Sequence, residues 1–366
     1  MDLSKYLPQL EALAAMSNHY GADPAYVLAG GGNTSYKSED YLWIKGSGTS
    51  LATIRAEDFV VMDRAALGKM WNAEYPADEA QRESAVLADM MDARIPGESR
   101  RPSVETLLHD LFSQQFVLHV HPALVNGLTC SKGGKAVMEQ LFPEAVWVDP
   151  CKPGYILALE CKEKMDAREA ATGKPVQILF LENHGIFFGG DTVAEVDILA
   201  AKVMDVLAAQ IRKEPDLTSV SVDAQEAEAI RSALEKRCGY ALFCANALIR
   251  DYDKSTESLS PDHIVYAKAK QLVLPEAAGA AEVDALFTQF QAENGYAPRI
   301  LFRGAEMYAC GSSQKETESA QVVMLDALKV TQYAESFGGV SPMPAFLIDF
   351  IVNWEVERYR SNVSLK

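Results

Sequence analysis

The sequence predicts a soluble α/β protein, and three observations carry that reading. The chain has 366 residues, which at roughly 150 per domain fits two domains or one large one. Hydrophobic residues make up 48%, enough for packed cores and too many for a disordered chain. Short apolar runs bounded by glycine alternate with longer segments of helical period.

Leu3, Leu7, Leu10 and Ala14 recur at helical spacing, so the N-terminal segment reads as an amphipathic helix. Tyr26 to Leu28 is a short apolar run leading into GGGNTS, followed by YLWIKGSGTS and DFVVMD. Two glycine-rich turns between apolar runs suggest strands joined by tight loops. Residues 64 to 95 read as helical and rather polar, ending at Pro96-Gly97. In SVETLLHDLF, Ser103 is a capping signal ahead of an apolar stripe of Leu107, Leu108, Leu111 and Phe112. FVLHVHP reads as a strand stopped by Pro122, and VQILFLENHGIFFGG as two strands around Asn183-His184-Gly185. Asp191 to Lys213 reads as a long helix, opened by Thr192 and Glu195 in capping-box spacing. The pattern lapses at EPDLTSVSVDAQE, which sets an expected boundary near residue 220: a catalytic domain over 1–220 and an extension over 221–366. In that extension RILFRGAEMYACG reads as a hairpin. Ser313 and Glu316 then cap a helix with Val323, Ala327, Val330, Ala334 and Phe337 on one face.

Lys plus Arg number 34 against 51 Asp plus Glu, a net charge of −17. So acidic a body repels polyphosphate, which argues against a nucleic-acid partner. A small anionic substrate stays compatible, because a local site can be positive on a negative protein. The six cysteines include no Cys-x-x-Cys pair and read as free thiols in a reducing compartment. MDLSKYLPQLEALAAM carries Asp2, Pro8 and Glu11 where a signal peptide needs a clean apolar block. No stretch approaches 18 uncharged apolar residues, AFLIDFIV being broken by Asp349. A cytoplasmic protein with no membrane partner is expected, in which the sequons at Asn33 and Asn362 have no role.

His119 and His121 lie two apart in FVLHVHP. In a strand they share a face with Val117, about 6.6 Å apart along the chain, while Leu118 and Val120 point the other way. Two imidazoles so placed can converge on one ion, and His184, at a turn between apolar runs, is the candidate third ligand. Three neutral histidines hold Zn²⁺ with a position left open for a substrate oxygen, a Lewis-acid site. Hydrogen-bonded strand histidines are the competing reading. Glu105 and His109 sit four apart on one helix face. Glu105 is either a carboxylate beside the metal or a second- or third-position acid favoured by the helix dipole. His109 reads as support or packing. GGGNTS and KGSGTS offer backbone N–H groups, the hydroxyls of Thr34, Ser35, Ser47 and Thr49, and the Lys45 ammonium, all suited to phosphate or carboxylate. Neither has nucleotide-loop spacing, so ordinary turns are an equal reading.

In order, GGGNTS, WIKGSGTSL, RPSVETLLH, VLHVHP and LENHG over residues 30 to 185 resemble the class II aldolase/adducin family. The likeness is greatest to longer members in which a rhamnulose-1-phosphate aldolase half is joined to a short-chain dehydrogenase. It continues through LSPDHIVYAKAKQL, APRILFRGAEMYACGSS and NWEVERYR. These residues hold no dinucleotide loop, so the dehydrogenase half is expected to be absent. The resemblance implies an α/β/α sandwich with a mixed, largely antiparallel sheet, followed by the α/β extension. It implies that His119, His121 and His184 ligate Zn²⁺, or another divalent ion such as Mn²⁺. Glu105 would ligate the metal at rest and act as catalytic acid/base once substrate displaces it. Phosphate-binding positions of the family fall on Asn33, Ser47, Gly48 and Ser103, and the glycine turns add Thr34 and Lys45 as candidates. Val104 replaces a second serine of small aldolases, with Lys45 and Arg100-Arg101 as candidates to compensate.

The activity implied is reversible, metal-dependent cleavage of a ketose 1-phosphate, of rhamnulose or fuculose type, to dihydroxyacetone phosphate and an aldehyde. Family members are tetramers in which a neighbouring subunit donates a tyrosine, so a homo-oligomer is expected. Same-family dehydratases, decarboxylases and epimerases acting on a sugar phosphate or sugar acid are the alternatives; the epimerases carry aspartate at the Glu105 position. A non-catalytic adducin-like binding module predicts lost metal positions, and all four are present. The sole histidine of the extension, His263, is expected on a helix surface.

Overall fold

The structure is a computed structural model describing residues 4–354. Leu3, most of the NWEVERYR stretch and Asn362 lie outside the described residues. The chain divides into two compact units. One comprises the chain up to Val125 together with Lys135–Ala209; the other comprises Asn126–Gly134 together with the chain from Gln210.

The first unit opens with helix α1 (Leu7–Ala22), then strands β1 (Asn33–Lys37), β2 (Tyr41–Ile44) and β3 (Val60–Asp63). Helices α2 (Arg64–Met70), α3 (Glu79–Asp92) and α4 (Thr106–Leu111) precede β4 (Phe116–Val120). Helix α5 (Ala123–Thr129) begins here and passes into the second unit at Asn126; α6 (Gly134–Leu141), β5 (Val146–Val148) and α7 (Tyr155–Thr172) follow. Strands β6 (Ile178–Leu181) and β7 (Gly185–Gly190) and helix α8 (Val193–Ala208) complete it. The seven strands form one sheet in the order β3-β2-β1-β4-β7-β6-β5. Every pairing is antiparallel except β5 with β6.

Strand alternation sorts the side chains of this sheet to two faces. Leu42, Ile44, Val60, Met62, Val117, Leu179, Leu181 and Phe187 join one buried cluster with Leu67, Met90, Leu108 and Leu157 of α2, α3, α4 and α7. Thr34, on the opposite face, meets Ser17 of α1, and α8 packs on α1, β4 and β7. Helices on both faces of a mixed, largely antiparallel sheet make an α/β/α sandwich. Two expected helices are shorter than their patterns. Residues 64 to 95 split into α2 and α3 because Asp63 and Asp78 each cap a separate start, accepting from Ala66 N and Gln81 N. The helix capped by Thr192 stops at Ala208, where the Ala209 N–H bonds the carbonyls of Asp205 and Leu207 and closes the last turn, rather than reaching Lys213.

The second unit contains α9 (Ala224–Cys238), β8 (Tyr240–Ala245), α10 (Ala247–Asp251), α11 (Pro261–Ala267), β9 (Leu272–Val273) and α12 (Ala280–Asn294). It continues with β10 (Ile300–Arg303), β11 (Glu306–Gly311), α13 (Gln314–Ala334) and α14 (Ala345–Asn353). A four-stranded sheet, β8-β11-β10-β9, carries α9 and α12 on a core of Ile230, Leu234, Phe287, Leu301 and Tyr308. The hairpin expected from RILFRGAEMYACG is β10–β11, turning at Gly304 with φ 53. Ser313 caps α13 by accepting from Glu316 N. His263 departs from expectation: it is buried on α11, with Nε2 3.3 Å from Asp326 Oδ2 of α13. Among the described residues no helix is long and apolar enough to cross a membrane.

One buried charge gives the sheet a pH-dependent stability. Lys37 of β1 donates to the Phe112 carbonyl at 2.6 Å, and burial pushes its ammonium down to about 7. The unfolded chain therefore binds more protons than the fold between about pH 7 and the ordinary lysine range, so this group adds stability as pH rises through that window. Lys37→Met should be more stable than wild type at pH 7. That advantage should shrink by about 1.4 kcal/mol for each pH unit between 7 and 10. Paired denaturant titrations at those pH values would reveal it; a gap that stays constant with pH would dismiss the idea.

Candidate active site

Three short segments bring the chemistry together. β4 pairs with β1 so that His119 lies opposite Asn33 and Val117 opposite Ser35, which puts these four side chains on one face. The hairpin between β6 and β7 is closed by the Leu181–Gly185 pair. Its loop places Asn183 in the left-handed region at φ 56, a conformation that asparagine tolerates. Gly185 is required by close approach: a Cβ there would lie 2.5 Å from His121 Cδ2 and 2.6 Å from the Val120 carbonyl oxygen. Ring centroids of His119, His121 and His184 are 4.6 to 5.1 Å apart, and a nitrogen from each lies within 4.8 Å of the others.

Glu105 stands at the start of α4, not within it. The expected cap on Ser103 is displaced, because Ser103 Oγ accepts from Glu105 N two residues on and the helix begins at Thr106. Glu105 thus sits outside the helical turn with φ −93 and ψ 13, and its carboxylate reaches the histidines. Oε1 lies 3.3 Å from His119 Nε2 and 3.4 Å from His184 Nε2. It is buried and makes no well-formed hydrogen bond. Burial opposes its ionisation, but the attraction of His119 and His184 and the Asn33 N–H hold the carboxyl well below the usual range.

The rings are oriented from behind. His119 Nδ1 donates to the Ile186 carbonyl at 3.0 Å, which leaves the Nε2 lone pair facing the cluster. Burial lowers the proton affinity of His119, and Phe187 stacks on its ring at 3.9 Å between centroids. Glu105 is positioned by a hydrogen-bonded chain. Ser35 Oγ donates to His109 Nδ1 at 2.7 Å, His109 Nε2 donates to Asn33 Oδ1, and Asn33 Nδ2 donates to Glu105 Oε2 at 2.6 Å. Only this direction gives each atom its role, since a carbonyl oxygen cannot donate. His109 is fully buried, and burial holds its proton affinity well below the ordinary value.

The anion-binding candidates divide. Ser47 and Gly48 are partly exposed in a turn fixed by Ser47 N donating to the Arg101 carbonyl, with Gly48 at φ 84. Ser103 is tied to the same region through its N–H on the Lys45 carbonyl. Asn33 has Oδ1 and one N–H already engaged by His109 and Glu105. Thr34 is a correction: β1 starts at Asn33, so strand parity turns Thr34 away, and its buried hydroxyl meets Ser17 Oγ at 2.7 Å. Ser35 is likewise spent on His109. The Lys45 ammonium is buried against the carbonyls of Gly30 and Gly32, at 3.1 and 2.8 Å, where it shapes the glycine turn. Arg100 is held by Glu98 and the carbonyls of Glu57 and Phe59.

Residues 11–211 match the model of the Class II Aldolase and Adducin N-terminal domain. A Bacillus subtilis (strain 168) protein, named uncharacterized oxidoreductase YuxG, is 31% identical over 193 residues, which are 50% of this chain. The match spans only 27% of that relative's length. Among solved structures, the N-terminal class II aldolase domain of a conserved Thermoplasma acidophilum protein is 24% identical, with a TM-score of 0.47 over 55% of this chain and 92% of that one. The L-fuculose-1-phosphate aldolase of Thermus thermophilus is 18% identical, with a TM-score of 0.35 over 55% and 91%. With more than half of its length matched by the family model, and the motif histidines gathered beside one carboxylate, the chain belongs to the class II aldolase and adducin family.

Proposed function

We propose that the protein is a metal-dependent aldolase that reversibly cleaves a ketose 1-phosphate, of rhamnulose or fuculose type, to dihydroxyacetone phosphate and an aldehyde. The observation that carries this reading is Glu105 Oε1, a buried carboxylate oxygen without a hydrogen bond, set against two imidazole nitrogens. With His119 Nδ1 turned to the Ile186 carbonyl, Nε2 and Glu105 Oε1 face each other as two lone-pair donors in a buried site, which a divalent cation would satisfy. His119, His121, His184 and Glu105 would hold it, a nitrogen and carboxylate donor set suited to Zn²⁺ and also to Mn²⁺. When bound, such an ion neutralises charge that collects on the substrate's oxygens as the carbon–carbon bond breaks.

The chain's own residues do the rest. With Oε2 held by Asn33, Oε1 of Glu105 is the atom that moves the proton. In synthesis it removes one from the carbon beside the ketone; in cleavage it returns it. Ser47, Gly48 and Ser103 are the positions assigned to the phosphate, fixing the reacting carbon relative to Glu105. The resemblance supports a cytoplasmic homo-oligomer, a tetramer, as the working state, with a small sugar or sugar phosphate as substrate.

Release of dihydroxyacetone phosphate from L-rhamnulose 1-phosphate or L-fuculose 1-phosphate by the metal-loaded chain is the expected result. Carbon dioxide or a dehydrated ketone, formed instead from a sugar acid or sugar phosphate, would move the assignment to a decarboxylase or dehydratase.

A further inference from the structure

We infer that the second unit carries a binding site for a small organic anion, built around Lys268. The inference goes beyond the aldolase reading and does not depend on it. A cavity of about 610 Å³ in this unit is bounded by the end of α9, the loop before β10 and the start of α13, a volume usual for small-molecule sites. Arg237, Lys268 and Arg299 line it against one carboxylate, Glu316. On a chain of net charge −17, this is a local excess of positive charge.

Two of the three cations are committed. Arg299 donates to the carbonyls of Val265 and Tyr266 and to Glu316. Arg237 bonds Asp284 and Thr288 and lies 4.3 Å over the Phe287 ring. Lys268 differs. Among the described residues its ammonium makes no hydrogen bond or ion pair; it lies 5.9 Å from the centroid of the Tyr296 ring and feels Glu316 only at longer range. Burial, and then repulsion from Arg299, lower its proton affinity, a cost that a bound anion would reverse.

The backbone supplies an independent observation. Lys268 follows α11 with φ 70 and ψ 158, a region almost confined to glycine, at a place where helices commonly end on glycine. Glycine would satisfy that turn without strain; what lysine adds is an ammonium in the cavity. Phe287 and Tyr296 offer flat apolar walls for the carbon part of a ligand. A carboxylate and a phosphate monoester both fit this charge.

Calorimetric titration of the full chain with inorganic phosphate, and separately with succinate, separates the two head groups. Lys268→Gly is the variant of choice because the backbone conformation favours it, so folding is preserved. The expected result is that at least one probe binds wild type at least tenfold more tightly than Lys268→Gly. Phosphate held elsewhere on the chain contributes equally to both proteins and cancels. Superimposable titrations of wild type and Lys268→Gly with both probes would overturn the inference.

Discussion

His119→Ala should lose metal and turnover together. His119 is fully buried, stacked on Phe187, and locked by the Ile186 carbonyl so that Nε2 faces His121, 2.9 Å away, and Glu105. Its removal takes a preoriented nitrogen from the centre of the cluster, and two imidazoles with one carboxylate remain. Metal content, by atomic emission, should fall below about a tenth of wild type, since even loss of an outer-shell partner commonly costs 10–100-fold in metal affinity. Retro-aldol turnover should become undetectable. The substitution also opens a core cavity at a cost of about 2–4 kcal/mol, so His184→Ala is the necessary companion. His184 lies in a hairpin loop and keeps a small exposed edge, where His119 has none, so its truncation should cost less stability than that of His119 while showing the same joint loss of metal and turnover. Stoichiometric metal in both variants would end the case for this cluster as a metal site.

Glu105→Gln should separate binding from chemistry. Glutamine keeps the shape and accepts the Asn33 N–H that now reaches Oε2, and three imidazoles still hold the ion, so most metal should remain. It cannot exchange a proton with carbon, so turnover should drop by roughly 10²–10⁴-fold, the usual worth of a positioned acid/base. The decisive comparison is turnover per bound metal. Wild-type turnover in metal-loaded Glu105→Gln would exclude Glu105 as the proton carrier, whatever its part in ligation.

Much of this arrangement was legible because strand parity is local. FVLHVHP needs no partner to say that His119 shares a face with Val117 and not with Leu118 or Val120, and β4 has that arrangement. The hairpin at LENHG followed from two apolar runs around a turn. Reading failed where side chains answer to distant residues. GGGNTS looked like a loop, yet β1 begins at Asn33, and pairing with β4 then sends Thr34 to Ser17 and Ser35 to His109. Ser103 carried a capping signal that its hydroxyl spends on Glu105 N instead. His263 looked superficial because Asp326, which buries with it, is 63 residues away. The chain from Ser35 through His109 and Asn33 to Glu105 had one sequence clue, the four-residue spacing of Glu105 and His109, and the other half lies on β1.

The antiparallel pairing of β1 with β4 makes competence an all-or-none property of folding. Displacing β4 by a single residue would present Leu118 to Asn33 and bury both imidazole donors on the side of α1 and α8. No intermediate alignment keeps His119 beside Asn33 and Glu105, so the cluster is present in full or not at all.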